Sequence, residues 1–492
     1  MKRAIGELTL YKWRYGIGIT IALLLAALVF ILAAQYIPGG LRGAERTSAI
    51  ASASLSLQTV DASSIVNLPY HFLQQISMSL LNASLLSIKL PSIFFAFAAL
   101  AGFYLLSRQW FRTNVAAIAS VVLISLPAYI FAAQDGTALM YTICLSLWLL
   151  LATTYISRDV KSALFWKILF VILFAFNLYA PLGIYLNFAL VIMAIFHPHV
   201  RHFVRRLSKV RATIGIIVLL ILLTPLALIA YRSPSVLLDL LGWPSSLSAV
   251  VGNSIITFGL LFDFSGNTVF EGIASPLLPL GILLLLMIGI YFLARAKHTA
   301  QSFIIAIWAL LLVCLSIISP ANTIYLIIVI ALVLAAAVDG LLTSWYKIFP
   351  NNPYAHIVAL FPTAIIVIGL FTAGIGQYTA AYYYNPNVVK QFSSDINLLP
   401  EIISYSGATP GMSVMLITSE SQRDFFQAIS KYKPGLVVTS NVPLSLPDSF
   451  AVSHDVYQEM GSTFDEQSIN RIFVDRATNS ADRFYLYTTI PK

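Results

Sequence analysis

Apolar runs of about twenty residues recur between residues 15 and 374, and that repetition removes most folds from consideration. Such a run crosses the roughly 30 Å hydrocarbon layer of a bilayer as a helix, which satisfies its own backbone at about 1.5 Å per residue. Eleven spans can be placed, at 15–36, 92–106, 115–133, 138–156, 164–180, 183–196, 213–231, 279–294, 303–318, 324–341 and 357–374. The fifth and sixth are separated only by Ala180-Pro181-Leu182; joined, they would far exceed the bilayer, so they are read as two. An apolar fraction of 59% with only 10% charged residues agrees with an integral membrane protein. Cys144 and Cys314 each sit inside an apolar run and read as small core residues rather than a disulfide.

The net charge of +9 does not point to nucleic acid. The basic excess lies in short loops of one side: Lys2, Arg3, Lys12 and Arg14; Arg108 and Arg112; Arg158 and Lys161; the run from Arg201 to Arg211; Arg295 and Lys297; and Lys347. Positive residues mark the cytoplasmic side, so the amino terminus is predicted inside and, after eleven crossings, the carboxy terminus outside. Short loops without disulfides fit a bacterial plasma membrane.

Two external excursions interrupt the bundle, at 37–91 and 232–278. The first is long, polar and rich in small residues, with amphipathic pieces that read as helices lying along the membrane surface; Phe72, Leu73, Ile76 and Leu80 share one face and Pro69 suits a helix start. In the second, 247–262 reads as an interfacial helix, too polar at Asn253 and Ser254 to cross. Beyond residue 376 charges of both signs return. The predicted organisation is an all-α polytopic membrane bundle over 1–376 and a small extracytoplasmic α/β domain over 377–492. Strands are predicted at 413–417, 436–439, 471–474 and 484–489, with a helix at 420–432.

Acidic residues are scarce, so those on the external side draw attention. Glu45 follows the first span within GGLRGAERTS, flanked by Arg42 and Arg46 that would keep it ionised. An ionised carboxylate beside a lipid headgroup suits a general base; a surface salt bridge with either arginine is the plainer alternative. Asp135 lies in the tiny turn Gln134-Asp135-Gly136-Thr137, at the membrane surface, where it either serves function or caps the next helix. Asp61 also has the setting of a helix cap. There is no P-loop, GxGxxG, HExxH or paired CxxC, so a donor for any chemistry would come from the membrane. The scarcity of charge within the spans weighs against an ion-coupled transporter or flippase.

In order along the chain, Gly43-Ala44-Glu45, Asn67-Leu68-Pro69-Tyr70-His71-Phe72, Ile88-Lys89-Leu90-Pro91-Ser92, Gln134-Asp135-Gly136-Thr137 and Asn177-Leu178-Tyr179-Ala180-Pro181 resemble the GT-C class of polytopic glycosyltransferases. The similar families are the protein O-mannosyltransferases and lipid A aminoarabinose transferases. The family often has an Asp-Glu pair in the first loop, where Ala44 precedes Glu45 here, and an arginine near a late span, where Ala321-Asn322-Thr323 stands. The resemblance implies an inverting transferase that moves a sugar from a polyprenyl-phosphate donor to a protein, glycan or lipid acceptor on the external face. Carried over by position, Glu45 is the base and Asp135 a second acid. Arg42, Arg46, Asp61 and the cations His71, Lys89 and Arg232 are substrate-binding, the last three facing the lipid phosphate. Some relatives use a divalent metal; His71 with Glu45 is too thin to define a metal site here. The alternative from another class is a non-catalytic assembly or lipid-handling protein with the external tail as its binding surface.

Overall fold

A computed structural model describes residues 9–56, 62–158, 163–205, 208–243, 250–348, 360–405, 413–442, 447, 449–460, 468–475 and 483–488. Asp61, one of the expected substrate-binding residues, lies outside them. The chain is mainly helical, beginning with α1 (Thr9–Tyr36), α2 (Gly43–Ser54), α3 (Leu68–Leu80), α4 (Leu85–Trp110), α5 (Thr113–Ser125), α6 (Pro127–Gln134) and α7 (Leu139–Ser157). Among the described residues, six helices are long and apolar enough to cross a membrane, or seven if one bent pair counts as a single span. Other predicted spans coincide with shorter apolar helices, among them Gly183–Phe196 and Leu280–Arg295. Length and composition therefore carry the count to six or seven, short of the expected eleven.

Exposure separates the inner from the outer helices. In the apolar 18-residue core of Pro320–Ile348, 78% of the residues are buried within the molecule, against 6% in that of Ala212–Arg232, although every turn there is apolar. Ile217, Leu220, Ile221 and Leu228 stand exposed on the latter, a surface that only hydrocarbon can cover favourably. An integral membrane protein follows.

Prolines shape the helices of the second and third predicted spans. The third predicted span is not straight: α5 and α6 meet at 69° across Leu126, with Pro127 opening α6. Proline is tolerated in a first turn and breaks the ladder elsewhere. The second predicted span starts earlier than residue 92, because Ser84 caps α4 by accepting from the Ser87 N–H at 3.3 Å. Pro91 then falls inside the helix, where it cannot bond the Ser87 carbonyl. The Ser77 hydroxyl takes that carbonyl instead, at 2.7 Å, and Lys89 becomes a helical residue. Helix α3 turns its polar side, Gln74, Ser77 and His71, inward and leaves Phe72, Ile76 and Leu80 exposed. That is the orientation of a helix lying on a bilayer. Within the predicted segment 247–262 a helix forms at Val250–Phe262, with Asn253 donating to the Ile318 carbonyl at 2.7 Å.

In the second excursion, β1 (Val269–Phe270) and β2 (Ile273–Ala274) form a two-residue hairpin. The turn residues Glu271 and Gly272 both have positive φ, 47° and 79°, as a tight hairpin turn requires. The tail builds a five-stranded sheet in the order β4-β3-β5-β7-β6 from β3 (Val414–Ile417), β4 (Leu436–Thr439), β5 (Ser449–Ser453), β6 (Ser468–Val474) and β7 (Arg483–Thr488). Strands β3, β4 and β5 are parallel, Leu416 standing opposite Val438 and Ala451, and β7 pairs antiparallel with both β5 and β6. The helix Glu420–Ser430 connects β3 to β4. Strand β5, absent from the sequence reading, is the buried centre of the sheet.

This sheet does not hang free of the loop. Ala49 and Ala53 of α2 share an apolar core with Ile396, Leu399, Phe425 and Phe426. Leu41 and Ser393 exchange backbone bonds of 2.7 and 2.9 Å. Arg46 pairs with Asp395 at 2.6 Å and lies 4.8 Å from the Phe425 ring centroid. Removing one member of that partly buried pair should cost about 1–3 kcal/mol of docking, between the surface and fully buried limits. Arg46→Ala and Asp395→Ala should therefore each speed limited proteolysis between residues 385 and 413 by roughly tenfold, with the membrane bundle uncut; cutting at the wild-type rate would show the pair to be idle.

Candidate functional site

The start of α2, the first turns of α4 and the end of α6 converge on four charges. Glu45 sits in the first turn of α2 and accepts the Arg42 N–H at 2.8 Å, filling one of the donors that a helix start leaves open. Its other oxygen accepts the Gly136 N–H at 2.6 Å and lies 3.5 Å from Lys89 Nζ. Asp135, at the end of α6, accepts from Arg42 Nε at 2.7 Å and from the Thr137 hydroxyl. Lys89 also donates to Gln134 Oε1 at 2.6 Å. Glu45, Asp135, Lys89 and Gln134 are 0% exposed. Two cations against two carboxylates leave the buried cluster neutral, the condition under which enclosed charges persist.

The surroundings hold this arrangement closely. A Cβ added to Gly136 would lie 3.1 Å from Glu45 Oε1 and 3.0 Å from Ile88, so a side chain here would push the carboxylate or Ile88 back by a few tenths of an ångström. The Arg42 guanidinium sits 5.2 Å from the Phe131 ring centroid and donates to the Glu271 carbonyl of the hairpin. Lys89 lies 6.0 Å from the Phe392 ring centroid, which brings the start of the tail over the cluster. Gln74 braces it from below: its oxygen accepts from Ser48 and Ser52 at 3.0 and 2.6 Å, and its nitrogen donates to the Ile88 and Gly136 carbonyls at 2.8 and 2.9 Å. Desolvation by burial raises the Glu45 carboxyl above the ordinary carboxylate value, against the pull of Lys89.

The expected site residues divide between this cluster and other places. Glu45, Asp135, Arg42 and Lys89 come together. Neither plain alternative for the acids describes what is found: Glu45 pairs with buried Lys89 rather than with a surface arginine, and Asp135 bonds Arg42 and Thr137. His71 is close by, bonded through Nδ1 to Ser52 at 2.8 Å, but burial pushes it down to about 4. It is neutral near pH 7 and supplies no positive charge to a phosphate. Arg46 is turned to the tail, and Arg232 is exposed at the end of the helix Lys209–Arg232. Gln74, Phe392 and Asp395 carry no motif in the sequence, and the last two come from the far end of the chain; Gln134 lies in the quoted turn but has no role assigned from it. Among the described residues, no group of three or more His, Cys, Asp or Glu is placed to hold a metal ion. The carboxylates of the cluster are instead taken by Lys89 and Arg42.

No family model and no curated protein sequence matches this chain. Solved structures do resemble it. ArnT from Cupriavidus metallidurans bound to undecaprenyl phosphate superposes with a TM-score of 0.55 at 13% identity, over 96% of this chain and 99% of that one. The apo form of the same protein gives 0.54 at 12% identity, over 97% and 100%. The Archaeoglobus fulgidus oligosaccharyltransferase in its apo form gives 0.51 at 13% identity, over 84% of this chain and 63% of that one. Both proteins are GT-C glycosyltransferases, and the chain shares their fold.

Gln74→Leu preserves bulk while removing four hydrogen bonds, and leaves the Ile88 and Gly136 carbonyls with a donor fewer. Thermal unfolding of the detergent-solubilised protein should show a loss of at least about 1–3 kcal/mol; an unchanged midpoint would mean that the brace contributes nothing.

Proposed function

We propose that this chain transfers a sugar from a polyprenyl-phosphate donor to an acceptor at the external face of the membrane, with Glu45 as general base. The single observation that carries the reading is the pairing of Glu45 with Lys89, and of Asp135 with Arg42, in one cluster at the helix ends of a fold shared with ArnT. A structure of that protein holds undecaprenyl phosphate, the chemical class of the proposed donor. In the reaction, Glu45 takes the proton of an acceptor hydroxyl or amine. The acceptor atom bonds to the anomeric carbon from the face opposite the phosphate. The bond from that carbon to the phosphate oxygen breaks, the configuration inverts, and the polyprenyl phosphate leaves with the electron pair. Lys89 and Arg42 balance its charge, as preorganised cations do for a developing anion. The buried Gln134 Nε2, which has no acceptor among the described residues, is a spare donor beside Lys89 for the same oxygens. The orientation rests on the basic loops: amino terminus inside, cluster and tail outside.

A second reading is favoured by one specific observation. The four charges are wholly enclosed and mutually satisfied, as a structural lock in a non-catalytic lipid-handling or assembly protein would be, with the tail as its binding surface. Glu45→Gln separates the two. The transfer reading expects turnover of a polyprenyl-phosphate sugar to fall by at least about 10²-fold, with membrane insertion and sheet docking retained and partial activity in Glu45→Asp. Wild-type turnover in Glu45→Gln would remove the base assignment.

The pH profile gives an independent check. A base works only when deprotonated, and burial raises the Glu45 carboxyl. The rate should therefore climb with pH through an acid limb above the ordinary glutamate value of about 4.3, and the limb should vanish from the residual rate of Glu45→Gln. A limb at the ordinary value, or one that survives the substitution, would assign it to another group.

A further inference from the structure

Away from the charge cluster, the second excursion and the end of the helix Leu360–Thr379 line an open cleft of about 690 Å3. That volume lies within the range of about 300–1,000 Å3 typical of small-molecule sites. Ser265, Asn267, Gln377, Tyr384, Asn385 and Asn387 give it hydroxyl and amide groups, and none of its lining residues is charged.

Its walls are fixed by bonds that do not depend on a ligand. Asp263 accepts the N–H groups of Ser265, Asn267 and Thr268 at 3.0, 3.1 and 2.9 Å. Hydrogen bonds from Ser265 and Thr268 hold its carboxyl well below the usual range, so the loop stays braced at any neutral or mildly acidic pH. Asn385 donates to the Gly266 carbonyl at 2.9 Å and Gln377 to the Pro276 carbonyl at 2.9 Å. The far wall runs on to the charge cluster. Tyr382, in the same wide turn as Tyr384 (Ala380–Tyr384), accepts the Ala274 N–H at 3.2 Å and stacks on Phe131 at 5.5 Å. Phe131 is the ring beneath Arg42.

The lining favours some occupants over others. A lipid chain would meet Phe264, Pro279 and Leu280 but would also lie against the polar groups of Ser265, Asn267 and Asn387, a poorer match than a ligand with hydroxyls. A phosphate or carboxylate would find no Lys or Arg, and a cation no free carboxylate, since the oxygens of Asp263 serve the loop. What the walls match is a neutral molecule dense in hydroxyls with flat C–H faces. The Tyr384 and Phe264 rings, 72% and 54% exposed, offer surfaces for such faces. We propose that this cleft binds a neutral saccharide and is the acceptor subsite of the transfer reaction, a role that rests on the transfer reading above.

The test measures binding at equilibrium, so it does not require turnover. Full-length protein in phosphatidylcholine nanodiscs would be titrated with methyl glycosides of glucose, mannose and N-acetylglucosamine, followed by saturation-transfer NMR. At least one glycoside should bind saturably. Tyr384→Ala and Asn267→Ala should weaken it roughly tenfold, whereas Tyr384→Phe, which keeps the ring, should retain most of it. Glu45→Gln should bind as wild type while losing transfer, which separates failure of the pocket from failure of the base. The proposal is overturned if no glycoside binds, if both alanine variants bind normally, or if undecaprenyl phosphate or a neutral serine-containing peptide displaces the glycoside from the cleft while the glycosides do not compete with one another.

Discussion

Two ion pairs shielded from water, Glu45 with Lys89 and Asp135 with Arg42, set the geometry of the helix ends around them. Removing charges from water costs several kcal/mol for each ion, and only close pairing with further hydrogen bonds offsets it. That constraint dictates the neighbouring backbone. Glu45 must lie in the first turn of α2 to take the Arg42 N–H, and Gly136 in the turn after α6 gives its N–H to the same carboxylate with no side chain crowding it. Lys89 must lie on a helix that starts before its proline. Each of these elements is held where it is because displacing it would leave a charge unpaired, a change that typically costs about 3–5 kcal/mol.

The same cluster ties together segments remote in sequence. Arg42 rests on Phe131, Phe131 stacks on Tyr382, and Tyr382 holds the hairpin through Ala274. Leu41 pairs with Ser393, and Arg46 with Asp395, across some 350 positions of chain. The tail sheet thus completes the first loop, because α2 is short, rich in alanine and serine, and has too little apolar surface to pack alone. Its core is finished by Phe425 and Phe426.

What could be read beforehand follows from how local each signal is. Apolar helices are legible because hydrophobicity over one run decides them, and four of the five tail strands fall where alternating apolar residues lie between turns. Strand β5 escaped because its apolar residues, Phe450, Ala451 and Val452, include an alanine with little strand preference, and because no Pro-Gly pair marks its start as Pro434-Gly435 marks that of β4. Only its neighbours make it the central strand. The bend at Pro127 and the early start of α4 were hidden by continuous hydropathy, which is blind to a broken ladder and to a lone serine cap. In the site, rarity exposed the acids: Glu45 and Asp135 stood out among few carboxylates. Gln74 carries as many contacts as any of the charges, yet glutamine beside an amphipathic stripe has no distinctive pattern. His71 shows the opposite error. Its identity suggested a cation, and burial makes it neutral.

On the transfer reading, the enclosed state is also informative about how a donor would be received. Lys89 and Arg42 have carboxylates as their present counter-ions, and a polyprenyl phosphate offers a headgroup of the same sign with more acceptor oxygens. An arriving phosphate can therefore replace a carboxylate at its cation without ever leaving that cation bare in low dielectric, which direct opening of the pairs would do. The exchange would leave Glu45 with its two backbone N–H donors, held in place but relieved of the ammonium that most favours its ionised form. Losing that partner moves the carboxyl further in the direction burial already drives it, toward a stronger base. Donor binding and activation of the base would then be one electrostatic event, in which the cost of leaving the buried Glu45 carboxylate without its ammonium is expressed as a greater affinity for the acceptor proton.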